Sequence, residues 1–332
     1  MMKALVYTGP ESLDYRDVAD PAPGSDDALV RIESVGICGS DMHAYLGHDE
    51  RRPAPLILGH EACGIIEGGE RDGTRVTINP LVACGTCPAC REGRGNICPK
   101  RQIISLPPRE GAFAERVAMP KANLVAVPDG IAPEKAALAE PIACGWHAVR
   151  LGLRALGTSE ARTLVIGGGA IGLGAALSAK AQGISDVTII EPHDGRRAVL
   201  LGSGQNALPP SDLDEADLFD MVIDGVGFAA TRATATKHAK PGGVITHIGL
   251  GEATGGLDIR RMTLQEITFI GTYTYTAQDF RATAAAIFDG RLGALDWTEP
   301  RALADGARAF KDIREGRVNA PKIILYPEGV PV

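Results

Sequence analysis

The chain has 332 residues, of which 45% are hydrophobic and 41 are glycine, so it is long enough to bury a large core and to form two domains. Its 34 basic and 41 acidic residues give a net charge of −7 and are interspersed, which disfavours nucleic acid or an anionic membrane as a partner and favours a small molecule. The N-terminal residues lack the apolar run of a secretory signal, so we expect a cytoplasmic protein.

The first 127 residues have the pattern of a β-rich domain. Short apolar or alternating segments are separated by clusters of Pro, Gly and Asp, which mark turns. We predict strands at "KALVY", "ALVRIESVGI", "ACGIIE", "RVTIN" and "FAERVAM".

Four of the seven cysteines lie in one loop of this domain, "CGTCPACREGRGNIC" at residues 84–98. The C-x2-C-x2-C-x7-C spacing lets the thiolates of Cys84, Cys87, Cys90 and Cys98 converge on one zinc ion. A cluster of packed core residues is disfavoured because the loop is polar and rich in glycine. Four sulfur ligands leave no open coordination position, so we expect a structural zinc that takes no part in chemistry.

From about residue 163 the pattern changes to strands that alternate with helices. We predict strands at "TLVI", "VTII", "MVID", "GVITHIG" and "ITFIGTY", and helices at "AIGLGAALSAKAQ", "GRRAVLLG" and "AATRATATKHA". This alternation predicts a doubly wound parallel sheet. Residues 163–179 carry no charge, but their glycines and modest length favour a buried strand and helix over a membrane span. The tail offers one helix, "DFRATAAAIFDG", and a last strand, "KIILY", and is too short to form a domain of its own.

A G-x-G-x-x-G fingerprint lies between the first predicted strand and helix of this region. Such a turn brings the backbone close to a pyrophosphate, which we expect to bind at Gly167, Gly169, Ala170, Ile171 and Gly172. Glu191 ends the next strand, where its carboxylate would bind the adenine-side ribose and repel a 2′-phosphate, which favours NAD over NADP. Arg196 and Arg197 could hold that phosphate instead, although both also suit a solvated helix start.

A second set of chemically competent residues is scattered along the chain. It comprises Cys38 in "VGICGSDMHAY", His60 and Glu61 in "LILGHEACG", and Glu140 in "LAEPIACGWHA". Taken singly, such residues are more often part of a core. Together with the glycine fingerprint and the four-cysteine loop, however, these motifs make the chain resemble the zinc-dependent medium-chain alcohol and polyol dehydrogenases, from near Lys3 to near Tyr326.

The resemblance implies a catalytic zinc bound by Cys38 and His60, with Glu140 as the further ligand of polyol-type members. Glu61 then lies behind the ligands or exchanges with one. An open-sided zinc lowers the pKa of a bound hydroxyl and so prepares the alcohol to release hydride. Ser40 is placed to take the hydroxyl proton and His43 to pass it to solvent. Asp41 would fix the tautomer of His60, while the alternative is that these three are ordinary loop residues.

Three features leave undecided which residues contact the substrate and complete the metal site. Polyol-type members tend to carry an arginine near the end of the cofactor domain, where the aligned residue here is Thr274. Tyr45 and Tyr275 could line the cleft or simply pack. Cys144 follows Glu140 by four residues, so on a helix the two share a face and the thiol could compete as the ligand.

These observations predict a GroES-like β-barrel catalytic domain over residues 1–145, completed by 277–332, and a Rossmann-type domain over residues 146–276. The expected activity is hydride transfer between NAD and a secondary alcohol, such as a polyol, a sugar derivative or a related hydroxy compound, with two zinc ions per chain. A threonine-type amino-alcohol dehydrogenase and a non-catalytic zinc- and nucleotide-binding protein are the alternatives. The apolar "ITFIGTYTY" stretch predicts a homo-oligomer, either a dimer or a tetramer.

Overall fold

The computed structural model describes residues 1–331 and contains 18 strands, 10 α-helices and four short 3-10 helices within them. The N-terminal elements are β1 (Met2–Gly9), β2 (Ser12–Val18), β3 (Asp27–Gly36), α1 (Gly39–Tyr45), β4 (Leu56–Ile57), β5 (Glu61–Glu67), β6 (Arg75–Ile78), β7 (Leu81–Val82), α2 (Pro88–Arg91), β8 (Gln102–Ile103), β9 (Arg116–Pro120), β10 (Leu124–Ala126), α3 (Pro133–Ala137) and α4 (Ala139–Leu156). The remaining elements are β11 (Thr163–Ile166), α5 (Ala170–Ala181), β12 (Val187–Ile190), α6 (Asp194–Gly202), β13 (Asn206–Leu208), β14 (Phe219–Asp224), α7 (Ala229–His238), β15 (Ala239–His247), α8 (Ile259–Leu264), β16 (Thr268–Gly271), α9 (Ala277–Phe288), β17 (Thr298–Ala302), α10 (Gly306–Arg314) and β18 (Lys322–Tyr326).

The doubly wound parallel sheet is confirmed. Its six strands run in the order β13-β12-β11-β14-β15-β16, and every neighbouring pair is parallel. Along β11 the side chains alternate between two cores: Val165 packs with residues of α4 and α5, whereas Leu164 and Ile166 pack on the side of α7. Both faces of the sheet are therefore covered, which explains why its strands are continuous apolar runs without polar alternation.

A second, mostly antiparallel sheet is built from the N-terminal region and the tail. Its path is β10-β6-β5-β3-β18-β17, with β9 paired to the other end of β3. The predicted last strand, "KIILY", is β18, and it pairs antiparallel with β3 through the partners Ile324–Gly36 and Leu325–Val35. The tail thus returns to the N-terminal sheet, on the side where β3 leads into α1.

The sequence-based predictions of single elements have gaps. The strand at "FAERVAM" begins at Arg116, because Phe113 and Ala114 instead contact β1 by a backbone hydrogen bond and an isolated bridge. Among the elements that the sequence pattern does not predict are strand β2 and helices α1, α4 and α10. Strand β2 carries polar and half-buried residues of a hairpin edge and lacks an apolar run. Within residues 1–331 no helix is both long and apolar enough to cross a membrane.

Candidate active site

Cys38, His60 and Glu61 meet where the ends of two paired strands come together. Cys38 caps α1 directly after β3, while Glu61 begins β5 and pairs with Gly36 across the ladder. A side chain at Gly36 would collide with the Glu61 carboxylate, so glycine is needed for this approach. The three ligand atoms, a sulfur, a ring nitrogen and a carboxylate oxygen, lie within 4.8 Å of one another.

The imidazole of His60 is oriented by groups behind it. Its Nδ1 lies 3.5 Å from Asp41 Oδ1 and 3.4 Å from the hydroxyl of Ser105, which leaves Nε2 for a ligand role. The Asp41 carboxylate is itself fixed by the backbone N–H groups of Cys38 and Gly59, at 3.0 and 3.2 Å. Burial lowers the pKa of His60, but Asp41 and Cys38 outweigh it and raise the pKa well above its usual value. The pocket therefore attracts positive charge.

The two carboxylate oxygens of Glu61 differ in their hydrogen bonding. Its Oε1 accepts a hydrogen bond from the Lys322 ammonium at 2.7 Å, and Lys322 also donates to the carbonyl of Ile37 at 2.8 Å. Among residues 1–331 the buried Oε2 of Glu61 has no hydrogen-bond partner. An unpaired carboxylate oxygen beside a cysteine and a histidine is costly unless a cation binds there, and these ligand types are those of a catalytic zinc. The residues present therefore fit the metal.

Glu140 lies beside this group and is held by Tyr275. It is the second residue of α4, and its Oε1 accepts a hydrogen bond from the Tyr275 hydroxyl at 2.6 Å. Burial, aided by Glu61, raises the pKa of Glu140 to about 7. Burial and Glu140 also raise the pKa of the Cys144 thiol well above its usual value. In the part of the chain that the structure describes, the group within 4.8 Å contains Glu61 and not Glu140.

The other predicted residues of this region differ in their surroundings. Ser40 is half-buried in the first turn of α1, and His43 is exposed, with its ring 6.4 Å from that of His48. Tyr45 is buried and packs on Phe310, with ring centroids 5.2 Å apart, so it belongs to the core and does not line a cleft.

Two supporting residues were missed by the sequence analysis. Lys322 is a buried lysine at the start of an otherwise apolar strand, and that lysine was the available signal. Ser105 lies in a loop with no motif and has a φ of +70°, so local sequence gave no indication of its contact with His60.

The four-cysteine loop brings its sulfurs together without joining them. The Sγ atoms of Cys84, Cys87, Cys90 and Cys98 lie within 4.8 Å of one another, with separations of 3.9 Å for Cys84–Cys90 and 3.4 Å for Cys87–Cys90. Four ligands at the usual Zn–S distance would be about 3.8 Å apart, far longer than a disulfide bond. Hydrogen bonds from the N–H and hydroxyl of Thr86 lower the pKa of Cys84 to about 5, while desolvation and the neighbouring sulfurs raise that of Cys90 to about 12. A dication that binds all four as thiolates relieves this conflict, so the loop fits zinc.

The glycine turn opens onto a cavity of about 390 Å³. Gly167 has a φ of +95°, and a side chain at Gly172 would collide with the carbonyl of Gly167. A side chain at Gly169 would meet no protein atom within 4 Å, so this position leaves room for a ligand at the N-terminus of α5. The cavity extends from this turn, including Ala170 and Ile171, to Cys38 at the start of α1 and to Lys322 in β18. It is thus a cleft that joins the glycine turn to Cys38, one member of the cysteine–histidine–glutamate group.

Glu191 and Arg196 also line the cavity, and Glu191 contacts the glycine turn. The buried Glu191 carboxylate accepts the backbone N–H groups of Gly168 and His193, both at 2.8 Å, and each oxygen keeps a further lone pair. Arg196 Nη1 lies 3.7 Å from Glu191, whereas Arg197 is engaged with the carbonyl of Glu191. The arrangement fits a dinucleotide whose ribose reaches Glu191.

Comparison with known proteins extends these observations. The family described as "alcohol dehydrogenase GroES-like domain" matches residues 24–129, and that described as "zinc-binding dehydrogenase" matches residues 170–289. The chain is 34% identical to an L-galactonate-5-dehydrogenase of Escherichia coli over 88% of its length and 89% of the relative's. It is 32% identical to a sorbitol dehydrogenase of Arabidopsis thaliana, covering 82% of this chain and 80% of the relative. A solved zinc-binding dehydrogenase from Sinorhizobium meliloti, bound to NADP, superposes with a TM-score of 0.86 at 28% identity over 98% of this chain and 99% of the other.

Proposed function

Because the chain belongs to the zinc-dependent medium-chain alcohol and polyol dehydrogenases, we propose that it transfers a hydride between NAD and a secondary alcohol that is a polyol, a sugar derivative or a related hydroxy compound. The observation that carries the proposal is the single cleft in which Cys38 and the glycine turn face the same cavity. A metal-activated hydroxyl and a nicotinamide can meet only in such a shared space.

The proposed organisation has two domains and two metal sites. Residues 1–145 with 277–332 form the catalytic domain, and residues 146–276 form the cofactor domain; the return of β18 to β3 supports this division. Cys84, Cys87, Cys90 and Cys98 would hold a structural zinc. Cys38, His60 and a carboxylate would hold the catalytic zinc, with Glu61 inside the ligand group and Glu140 beside it.

The chain's own residues would then position the substrate and move its proton. A zinc ion held by Cys38 and His60 would supply Lewis acidity toward the hydroxyl, and NAD would supply the hydride acceptor. Asp41 and Ser105 keep the His60 ring oriented toward the site. Ser40, half-buried two residues after Cys38, would take the hydroxyl proton, and the exposed His43 would release it to solvent.

We assign NAD rather than NADP as the cofactor. Gly167, Gly169, Ala170, Ile171 and Gly172 would receive the pyrophosphate. The Glu191 carboxylate, which lines the same cavity, would accept hydrogen bonds from the ribose and repel a 2′-phosphate. Arg196 lies beside Glu191 and would lie against the adenosine. It would carry the 2′-phosphate only if Glu191 were removed.

The oligomeric state and location belong to the same proposal. Strand β16, which contains the first part of the predicted interface stretch, is an end strand of the parallel sheet. An unpaired edge favours pairing with a second copy, so we propose a symmetric homo-oligomer of two or four chains. A reducing cytoplasm suits the four thiols of the metal loop.

A substrate panel tests the proposed activity. Sorbitol, xylitol, galactonate, a sugar alcohol phosphate and threonine are each offered with NAD, and NADH is followed by absorbance. We expect turnover with at least one polyol or sugar acid and none in a Cys38→Ser variant that retains its fold. Turnover with threonine alone would favour an amino-alcohol dehydrogenase, and no NADH from any alcohol would contradict the proposal.

A further inference from the structure

The four-cysteine loop contacts a segment of the chain far away in sequence. Asn96, two residues before Cys98, is buried, and its side-chain N–H donates to the carbonyl of Tyr273 at 2.8 Å. Arg101, three residues after Cys98, lies over the Tyr273 ring at 4.7 Å and donates to the carbonyl of Cys98 at 3.0 Å. Asn96 of the loop therefore holds the backbone of Tyr273, and Arg101 just after the loop covers its ring.

The segment held in this way is strained. Thr274 has a φ of +46°, in the left-handed region that a β-branched residue rarely adopts. Its hydroxyl oxygen is buried and finds no hydrogen-bond partner among residues 1–331. Such a conformation persists only where the surrounding structure imposes it, and the contacts at Tyr273 are placed to do so.

The strained turn aims the next side chain at the active site. Tyr275 is 1% exposed, and its hydroxyl donates to Glu140 at 2.6 Å. On the other side the chain is fixed at once, because Thr276 caps α9. The position of Tyr275 thus depends on a cap after it and on the loop contact before it.

We propose that Asn96 is a positioning residue for the active site: from within the four-cysteine loop it holds residues 273–275 in the turn that places the Tyr275 hydroxyl on Glu140. The four-cysteine loop would then contribute to turnover as well as to stability. The inference deepens the proposed function and rests on it, since the site that it serves is the one assigned there. Asn96 touches neither substrate nor metal in this role.

The test uses the full-length protein and the isosteric variant Asn96→Asp, which replaces the donor by an acceptor facing the Tyr273 carbonyl. We expect kcat to fall about tenfold or more because Tyr275 is displaced, while zinc stays at two per chain and the dissociation constant for NADH changes less than about twofold. Hydrogen exchange of the backbone in residues 268–277 should become faster. Arg94→Ala is the matched control: this side chain is in the same loop, is 56% exposed and pairs with Glu92, so we expect none of these changes.

Two further variants separate positioning from a purely structural role. Tyr275→Phe should lower kcat because it removes the hydroxyl that contacts Glu140. Adding Asn96→Asp should lower kcat no further, because Asn96 acts through that same hydroxyl. Thr274→Gly should restore part of the kcat lost in Asn96→Asp, since glycine adopts a positive φ without strain.

The results distinguish the two proposals. Unchanged exchange in residues 268–277, additive losses in the double variant, or loss of zinc from Asn96→Asp would overturn the role of Asn96. If the wild-type protein oxidises no alcohol while exchange still depends on Asn96, the proposed function fails and the contact stands. If the wild-type protein is active and Asn96→Asp retains its kcat and exchange rates, only the inference about Asn96 fails.

Discussion

The carboxylate of Asp279 joins α4 to α9, and we predict that its loss is the most destabilising change outside the metal sites. Asp279 Oδ2 lies 2.7 Å from His147 Nδ1 and from the hydroxyl of Thr276, and Oδ1 accepts from Arg150 Nε at 2.6 Å. The Asp279 side chain is only 3% exposed, so water cannot replace these donors. Removing one partner of a buried charged network typically costs about 3–5 kcal/mol, and we expect that magnitude for Asp279→Asn.

Urea unfolding of both proteins measures this cost, with Asp289→Asn as the control. Asp289 follows the same helix but is 48% exposed and forms a surface ion pair with Arg291, so its substitution should cost less than about 1 kcal/mol. Equal losses in the two variants would refute the argument, because they would show that the buried network contributes no more than a surface pair.

The pH dependence of the same measurement follows from the pKa of Asp279. Burial alone would raise this pKa, but hydrogen bonds from His147, Arg150 and Thr276 outweigh it and hold the pKa well below its usual range. A carboxyl group whose pKa is lower in the folded state stabilises the fold fully at pH values above its pKa in the unfolded state, about 3.9. This contribution is lost as the pH falls toward the pKa in the folded state. The stability advantage of the wild-type protein over Asp279→Asn should therefore be constant at neutral pH and shrink below about pH 4.

Three other predictions concern the cleft. Gly172→Ala should weaken NADH binding about tenfold or more in a fluorescence titration, because the added methyl group collides with the carbonyl of Gly167. Gly202→Ala is the control and should leave NADH binding unchanged, because open space surrounds the added methyl group. Glu191→Ser should weaken NAD and relieve the repulsion of NADP by about 1.5–3 kcal/mol, and a wild-type preference for NADP in initial rates would contradict the assignment. Glu140→Ala should lower both turnover and catalytic-site zinc, whereas Cys144→Ala should leave both nearly unchanged; the opposite pattern would make the thiol the ligand.

The sequence was sufficient where the pattern is local. The alternation of apolar strands and helices from "TLVI" onward predicted five of the six strands in the parallel sheet; β13, a three-residue strand at its edge, was missed. The glycine spacing predicted the turn, since the conformation at Gly167 and the close approach at Gly172 are properties of a few adjacent residues.

Helix α4 shows why a local pattern can mislead. Its sequence contains Pro141 and Gly145, residue types that normally interrupt a helix, so the local pattern does not predict one. Pro141 lies in the first turn, where its missing N–H is not needed, and a side chain at Gly145 would approach the Ala175 backbone of α5 to 2.5 Å. The glycine is thus a requirement of packing between two helices, which single-sequence periodicity does not report.

Parts of the site that depend on distant contacts could not be predicted. Lys322 and Glu61 are 261 residues apart and form a buried ion pair only because β18 pairs with β3. The contact between Asn96 and Tyr273 could not be predicted for the same reason, because it joins the four-cysteine loop to the turn before α9.

The most direct test of the account is zinc content and turnover measured together in the wild-type protein and in Cys38→Ser. We predict two zinc ions per chain in the wild-type protein, and one in the variant, with no turnover and an unchanged unfolding midpoint, because the four-cysteine site is separate from the Cys38 site. Retained turnover in Cys38→Ser, or one zinc ion in both proteins, would contradict a catalytic metal at Cys38.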